Sequence, residues 1–354
     1  LQYQDEQGNM VKIPQFYIKQ IDWDYYWEHE YLQIGLFVLP EAQIHLLAKT
    51  KDKAESSQNP LLPPHFREQL AQKAQEVAAQ IGTGLAIDSL LLKKINISLE
   101  IKEANLWKSR HQIDSIGLLM TDFRIDSNTH VGAPERFLFA EQLQIAARKY
   151  SFRTAQKAFL IENEYLHWDS RDSSLRAEGL HLRNGEELTL KAPRMQIVHI
   201  SLRDYLSEQD LQVAEMIFEK PSLRYFRDKT RIPIDAKPRR NTFEEDSISL
   251  WQKQLQALIP LAARSIHLHR LSLQEGSFQY AQRGYKGLLR QSLEYVNVEV
   301  MDAHLDSSSL QTPKALFIAE RAHLDFRNYT LVQPDSMYQL RIAAGSIDTK
   351  NRQP

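Results

Sequence analysis

The chain has 354 residues, no cysteine and a formal net charge of −1. That excludes disulfides, Cys-based zinc sites, thiol catalysis and any bulk attraction to nucleic acid or anionic lipid. Apolar residues at 42% and charged residues at 25% describe a folded chain with ample material for a core, and no apolar run approaches the roughly 20 residues of a membrane-crossing helix.

Residues 10–45 read as two short strands around an aromatic, acidic turn over Asp22–Glu30. Residues 49–64 are polar and close on Pro63 and Pro64, a linker. Phe66, Leu70, Ala74, Val77 and Ile81 recur at helical spacing and predict a helix over 65–81, stopped by Gly82 and Gly84. The period then drops from about 3.6 to about 2. Ile95, Ile97, Leu99 and Ile101 alternate with polar residues, the pattern of a half-buried strand.

Further strands are predicted over Ile116–Ile125, Arg136–Ala146, Ala158–Trp168, Leu175–Leu182, Glu187–Ile197, Asp210–Phe218 and Ser222–Phe226. Asn184-Gly185 is the strongest hairpin signal in the chain. A second linker, Arg227–Glu245, precedes a helix over 247–262 that aligns Ile248, Trp251, Leu255, Leu258 and Ile259. Strands resume at Ile266–Leu273, Ser277–Ala281, Leu293–Val300, Ala315–Phe326 and Met337–Ile347.

The chain also repeats itself. Val11, Pro14, Ile18 and Ile21 return as Leu190, Pro193, Ile197 and Ile200, an offset of about 179 positions. Leu39-Pro40 is answered by Lys220-Pro221, and Tyr150 falls on Tyr329. The expected organisation is one continuous array. Residues 1–48 would be the last strands of a preceding repeat, 49–228 a complete repeat (helix 65–81, strands over 85–226), and 229–354 an incomplete following one, the whole a segment of something longer. One helix per many strands excludes a βαβ plan, and the units are too long for immunoglobulin-like sandwiches. The predicted fold is all-β with two short helices: an elongated, curved antiparallel sheet built from tandem repeats, groove- or taco-like.

Three phrases carry a family resemblance. One is Ile266, Leu268, Leu271, Leu273, Gly276, Phe278 and Tyr280 in a single run. The second is Asp325-Phe326-Arg327-Asn328-Tyr329 followed by Pro334, Tyr338 and Leu340. The third is Trp168-Asp169 leading through Leu175 and Gly179 to Leu182 and the Pro193 strand. This strand grammar resembles the AsmA-like envelope proteins of Gram-negative bacteria, especially the Bacteroidota type, and is similar to the repeating-β-groove bridge proteins. The likeness spans most of residues 10–354 and rests on alternation and turns, with no invariant catalytic motif.

The resemblance implies a protein anchored in the inner membrane whose β-rich body extends through the periplasm, carrying phospholipid between inner and outer membrane. It implies protein partners in both membranes and no catalytic residues. An acyl chain in water costs about 0.8 kcal/mol per CH₂, and an apolar groove removes that cost while the headgroup stays wet. Ile95, Ile97, Leu99, Ile101, Val296, Val298 and Val300 are the candidate groove-lining residues. Alternation is indifferent to whether the enclosed space is filled, so the same residues also suit a solid core. In that case the chain would be a structural or assembly scaffold for outer-membrane proteins or a secretion machine.

Other chemistry ranks lower. His267 and His269 share a strand face but lack a third ligand at a recognisable spacing. His181 and His199 sit at polar slots in strands, and Asp169, Asp172 and Glu178 flank a turn and no apolar pocket. The basic linker Arg227, Lys229, Arg231, Lys237, Arg239 and Arg240 is diluted by Asp228, Asp235, Glu244 and Glu245. Trp23, Tyr25, Tyr26 and Trp27 read as a packed cap in preference to a carbohydrate or membrane platform. No enzyme activity, cofactor, metal or nucleic acid is expected.

Overall fold

The computed structural model describes residues 2–5, 8–50, 72, 76, 79–103, 106–126, 136, 138–154, 159–201, 205, 210–228, 230, 265–284, 287–306, 319–334 and 338–350. The chain opens with β1 (Gln2–Gln4), β2 (Met10–Lys12), β3 (Tyr17–Asp22), helix α1 (Trp23–His29) and the long β4 (Tyr31–Thr50). Then come β5 (Gly84–Glu103), β6 (Leu106–Asp126), β7 (Gln142–Thr154), β8 (Phe159–Asp169), β9 (Ser174–Asn184) and β10 (Leu188–Ile200). Six more strands complete it: β11 (Asp210–Glu219), β12 (Ser222–Asp228), β13 (Ser265–Gly284), β14 (Gly287–Asp306), β15 (Arg321–Val332) and β16 (Gln339–Lys350).

All these strands belong to one sheet, in nearly sequential order from β1 to β16. β3 joins beside β2 on β4, and β12 lies between β10 and β13 in line with β11. The fold is therefore all-β and elongated, but the sheet is mixed and not antiparallel throughout. β4 pairs parallel with β5, and β11 and β12 pair parallel with β13. A parallel pair needs a crossover of a dozen or more residues. Residues 51–83 and 229–264 supply the two crossovers. Alternation has the same period in both kinds of ladder, which is why the sequence concealed the difference. Of the predicted helix 65–81, residues 72, 76 and 79–81 are helical; the remainder, and the helix over 247–262, lie outside the described residues.

Several expected elements change. The acidic, aromatic turn is the seven-residue helix α1. Asp22 caps it, its Oδ1 accepting from the Tyr25 N–H at 2.9 Å, and Glu30 ends it in the left-handed region at φ 52°. The predicted strand Arg136–Ala146 begins only at Gln142, because Leu138 and Phe139 adopt φ of 49° and 72°. That turn folds back on β6: the Phe139 carbonyl accepts from the Arg124 N–H at 2.9 Å, and the Glu141 N–H donates to Thr121 O at 3.0 Å. Ile266–Leu273 and Ser277–Ala281 are one strand, β13, interrupted by a bulge.

Two creases run across the sheet. The first passes residue 93 beside Pro40, then Lys149 (φ 53°), Gly179 (φ 67°), Pro193, the Lys220-Pro221 break, Glu275 (φ 52°), Tyr295 (φ 48°) and Asn328 (φ 55°). Each sits where its strand's ladder slips or breaks, and bulges bend a strand and sharpen its twist. The second crease holds Gln20 (φ 59°), Gly35, Asp88 and Asp122 (φ 49°), then, one repeat on, His199 (φ 52°), Ala214, His269 and Asp302 (φ 51°). The recurring prolines follow from this geometry. A proline lacks the N–H that a regular ladder requires, so it is tolerated where pairing is already broken.

Gly179 shows how tightly the first crease is built. A Cβ there would meet Glu164 Cγ at 2.5 Å, whereas one at the hairpin residue Gly185 (φ 59°) would meet nothing within 4 Å. Gly185→Ala is expected to cost about 1 kcal/mol, the left-handed penalty alone, and Gly179→Ala about 2 kcal/mol or more. Urea denaturation of the two variants checks the difference.

Candidate functional site

Residues paired across neighbouring strands project to the same side of a sheet. Followed strand by strand, this places two unbroken apolar rows on one face. The first runs Ala42, Ile95, Ile116, Ala147, Leu166 and Ala177 on β4 to β9. It continues through Met195, Phe218, Leu273, Val298, Leu324 and Ile347 on β10, β11 and β13 to β16. Its neighbour runs Leu39, Leu92, Leu118, Ile145, Trp168 and Leu175, then Ile197, Met216, Leu271, Val300 and Ala322. Neither contains a charged residue. At about 4.8 Å between strands, the twelve-strand row is roughly 50 Å long.

The opposite face is polar and laced with cross-strand ion pairs. Arg270 meets Glu299 at 2.7 Å and Glu215 at 3.3 Å, Arg321 meets Asp348 at 2.6 Å, and Arg153 meets Glu162 at 3.3 Å. Exposed pairs of this kind contribute under about 1 kcal/mol each. Their effect is on register and on which face takes water.

Nearly all buried apolar strand residues lie on the apolar face, with Leu160 the exception. All described strands form a single sheet, so no second described sheet covers that face. Leu143 and Val213 nonetheless reach 0% exposure. The shielding comes from neighbours along the sheet and from the turn at Leu138, which with Ala319 joins the cluster around Leu143, Trp168 and Val300. The apolar face is the more buried face of a sheet that two creases cross.

All seven predicted lining residues point to this face. Ile95, Val296 and Val300 are buried; Ile97, Leu99, Ile101 and Val298 are half-buried. Sequence reading missed most of the two rows because bulges reset the alternation. Leu92 and Ile95 share a face although three positions apart, as do Val213 and Met216.

One stretch of the apolar face is polar. Beside the first crease, Ile113, Tyr150 and Asn163 are paired in register across β6, β7 and β8. His111 lies one step further along the same face, opposite Leu99 and Phe152, with its Nδ1 3.2 Å from the Tyr150 hydroxyl. Asn163 is 4% exposed, and neither its Nδ2 nor its Oδ1 has a hydrogen-bond partner. An unmade hydrogen bond on a buried amide costs about 1–3 kcal/mol. Burial pushes the His111 imidazole below its ordinary value and the Tyr150 phenol above its own, so both stay neutral near pH 7.

The other sequence candidates are engaged elsewhere. His267 faces His304 across β13 and β14 (Nδ1 to Nδ1, 3.1 Å), while His269, on the second crease, meets Asp302 at 3.1 Å. His181 lies 3.6 Å from Glu162, and His199 marks the second crease. Asp169 accepts from Gln144 Nε2 at 2.7 Å and the Arg171 N–H at 2.9 Å, and Asp172 from the Ser174 N–H at 3.0 Å. These carboxylates hold the turn before β9, while Glu178 sits within β9. No group of three or more His, Asp or Glu residues suited to a metal occurs among the described residues. Only half of the aromatic quartet behaves as a cap. Tyr26 donates to Ile81 O at 3.1 Å and Tyr25 stacks on His29, whereas Trp23 and Trp27 face solvent. In the basic linker, Arg227 lies within β12, paired with Gln282, and Lys229, Arg231, Lys237, Arg239 and Arg240 lie outside the described residues.

The fold and face together define a class: a repeat-built, all-β chain in which the described strands form one elongated sheet, apolar on one face and polar on the other. No family model matches the chain, and no curated protein matches it. No described helix is long and apolar enough to cross a membrane.

The neutral His111 sets a pH dependence. Below about pH 6.5 the unfolded imidazole takes up a proton that the folded site resists. Stability present above that pH is therefore lost as pH falls toward the depressed folded value. Denaturation at about pH 7.5 and about pH 5.5 should show a larger loss for the native chain than for His111→Phe, whose ring suits the neighbouring Phe152.

Proposed function

We propose that this chain is a non-enzymatic segment of an envelope-spanning bridge protein that carries phospholipid between inner and outer membrane. The acyl chains would lie along the trough and the headgroups outside it. The observation that carries this reading is the pair of apolar rows crossing eleven and twelve strands without a charge. A filled scaffold core needs interlocking side chains from a second layer, and the described strands supply none. A diffusing acyl chain needs a surface with no deep well and no charged barrier, and a row of Ala, Ile, Leu, Met, Phe and Val offers that at every step.

The strand grammar that resembles the AsmA-like proteins supports the same assignment. It would place the chain in the periplasm, with the parent protein anchored in the inner membrane and with partners in both membranes.

Native mass spectrometry with lipid extraction tests the reading. The purified chain should retain phospholipid. Ile97→Asp and Val298→Asp, which put a charge in the trough, should lose at least tenfold of it while keeping their β circular dichroism, as should be expected of an open lumen. Gln279→Asp, on the exposed polar face, should retain it fully. Lipid-free protein throughout, with the two trough variants unfolding, would establish a filled scaffold instead.

A further inference from the structure

The polar stretch at the first crease has no role in a purely greasy conduit, and the fold does not demand it. One repeat on, Tyr329 pairs in register with Ile342 just as Tyr150 pairs with Asn163. The same strand position beside the same tyrosine holds an apolar residue there, 39% exposed on the edge strand β16. In the first repeat it holds an amide whose donor and acceptor are both unpartnered at 4% exposure. Next to it are a phenol and an imidazole, joined to each other at 3.2 Å, and the apolar residues Leu99 and Phe152. Of the charged residues on these strands, Arg148, Arg153 and Glu162 project from the other face, and Lys149 and Glu164, which adjoin Tyr150 and Asn163 on the crease, are exposed.

We propose that Asn163, with Tyr150 and His111, forms a polar subsite within the trough for the ester carbonyl of an acyl-chain lipid. This rests on the lipid-trough reading above. The chemistry selects the group. Phosphate or carboxylate would need a cation, and none pairs with Asn163, Tyr150 or His111, whereas the amide Nδ2–H donates to an uncharged carbonyl without one. Placed at a crease, where the strands already bend, the subsite registers the glycerol end of the lipid while the acyl chains follow the apolar rows to either side. An ether-linked lipid of equal length has the same greasy surface and no carbonyl there.

The test is competition, on the full chain, between a diacyl phosphatidylcholine and its dialkyl ether analogue of the same chain length and headgroup, read by mass spectrometry. The native chain should favour the ester about three- to tenfold, the discrimination expected of one neutral hydrogen bond. Asn163→Leu should retain as much total lipid with the preference erased, and its β circular dichroism should match that of the native chain. Tyr150→Phe, which removes only the hydroxyl, should reduce the preference partway. Equal retention of ester and ether by the native chain, as when the amide is satisfied by a trapped water, overturns the subsite and leaves the trough standing. So does an Asn163→Leu variant that keeps the preference. Retention of neither lipid by the native chain overturns the trough itself, and the subsite with it.

Discussion

One constraint governs this structure: a sheet that is apolar on one side must keep that side from water, and here no second described sheet is present to do so. Exposed apolar area costs about 25 cal/mol per Å², and the two rows span roughly 50 Å. The chain meets the constraint by bending. Lys149, Gly179, Glu275, Tyr295 and Asn328 crease the sheet along one line, Asp122, His199 and Asp302 along another. Leu138, in the turn before β7, and Ala319 pack against the buried cluster. The apolar side is thereby the buried side of the sheet.

The creases also account for the repeat. Each crease residue of the second line has its counterpart about one period on, Gln20 with His199 and Asp122 with Asp302. What recurs in the sequence is thus the set of positions where the backbone turns, more than the identity of the side chains between them. Asp122 is held firmly there. Burial would raise its carboxyl, but hydrogen bonds from Arg136 at 2.6 Å and Arg124 at 2.7 Å outweigh that and keep it below the usual carboxylate range. A bend repeated at matching positions is what the proposed trough requires of its repeats.

Much of this was legible in the residues. Alternation at Ile95–Ile101 identified the strands and their apolar side, and Pro14/Pro193 and Pro40/Pro221 marked the period. Three features were not legible. Parallel pairing of β4 with β5 leaves alternation unchanged. Bulges displaced the face by one residue, so Leu166, Met195 and Phe218 did not read as partners of Ile95. Asn163 looked like any polar strand residue, since only the register shows that it points inward beside Tyr150. Pro193 and Gly179 were the available clues to the crease, each marking a place where a regular ladder fails.

The central claim is that the apolar face is an accessible interior. The most direct measurement is photocrosslinking in membranes, with a benzophenone amino acid placed singly at Leu92, Met195 and Leu324 on that face and at Arg176, Gln279 and Arg341 on the other. The account predicts lipid adducts from all three inward positions and none from the outward ones. Inward positions that crosslink only to the protein itself would show the interior to be packed solid, and the account would fail.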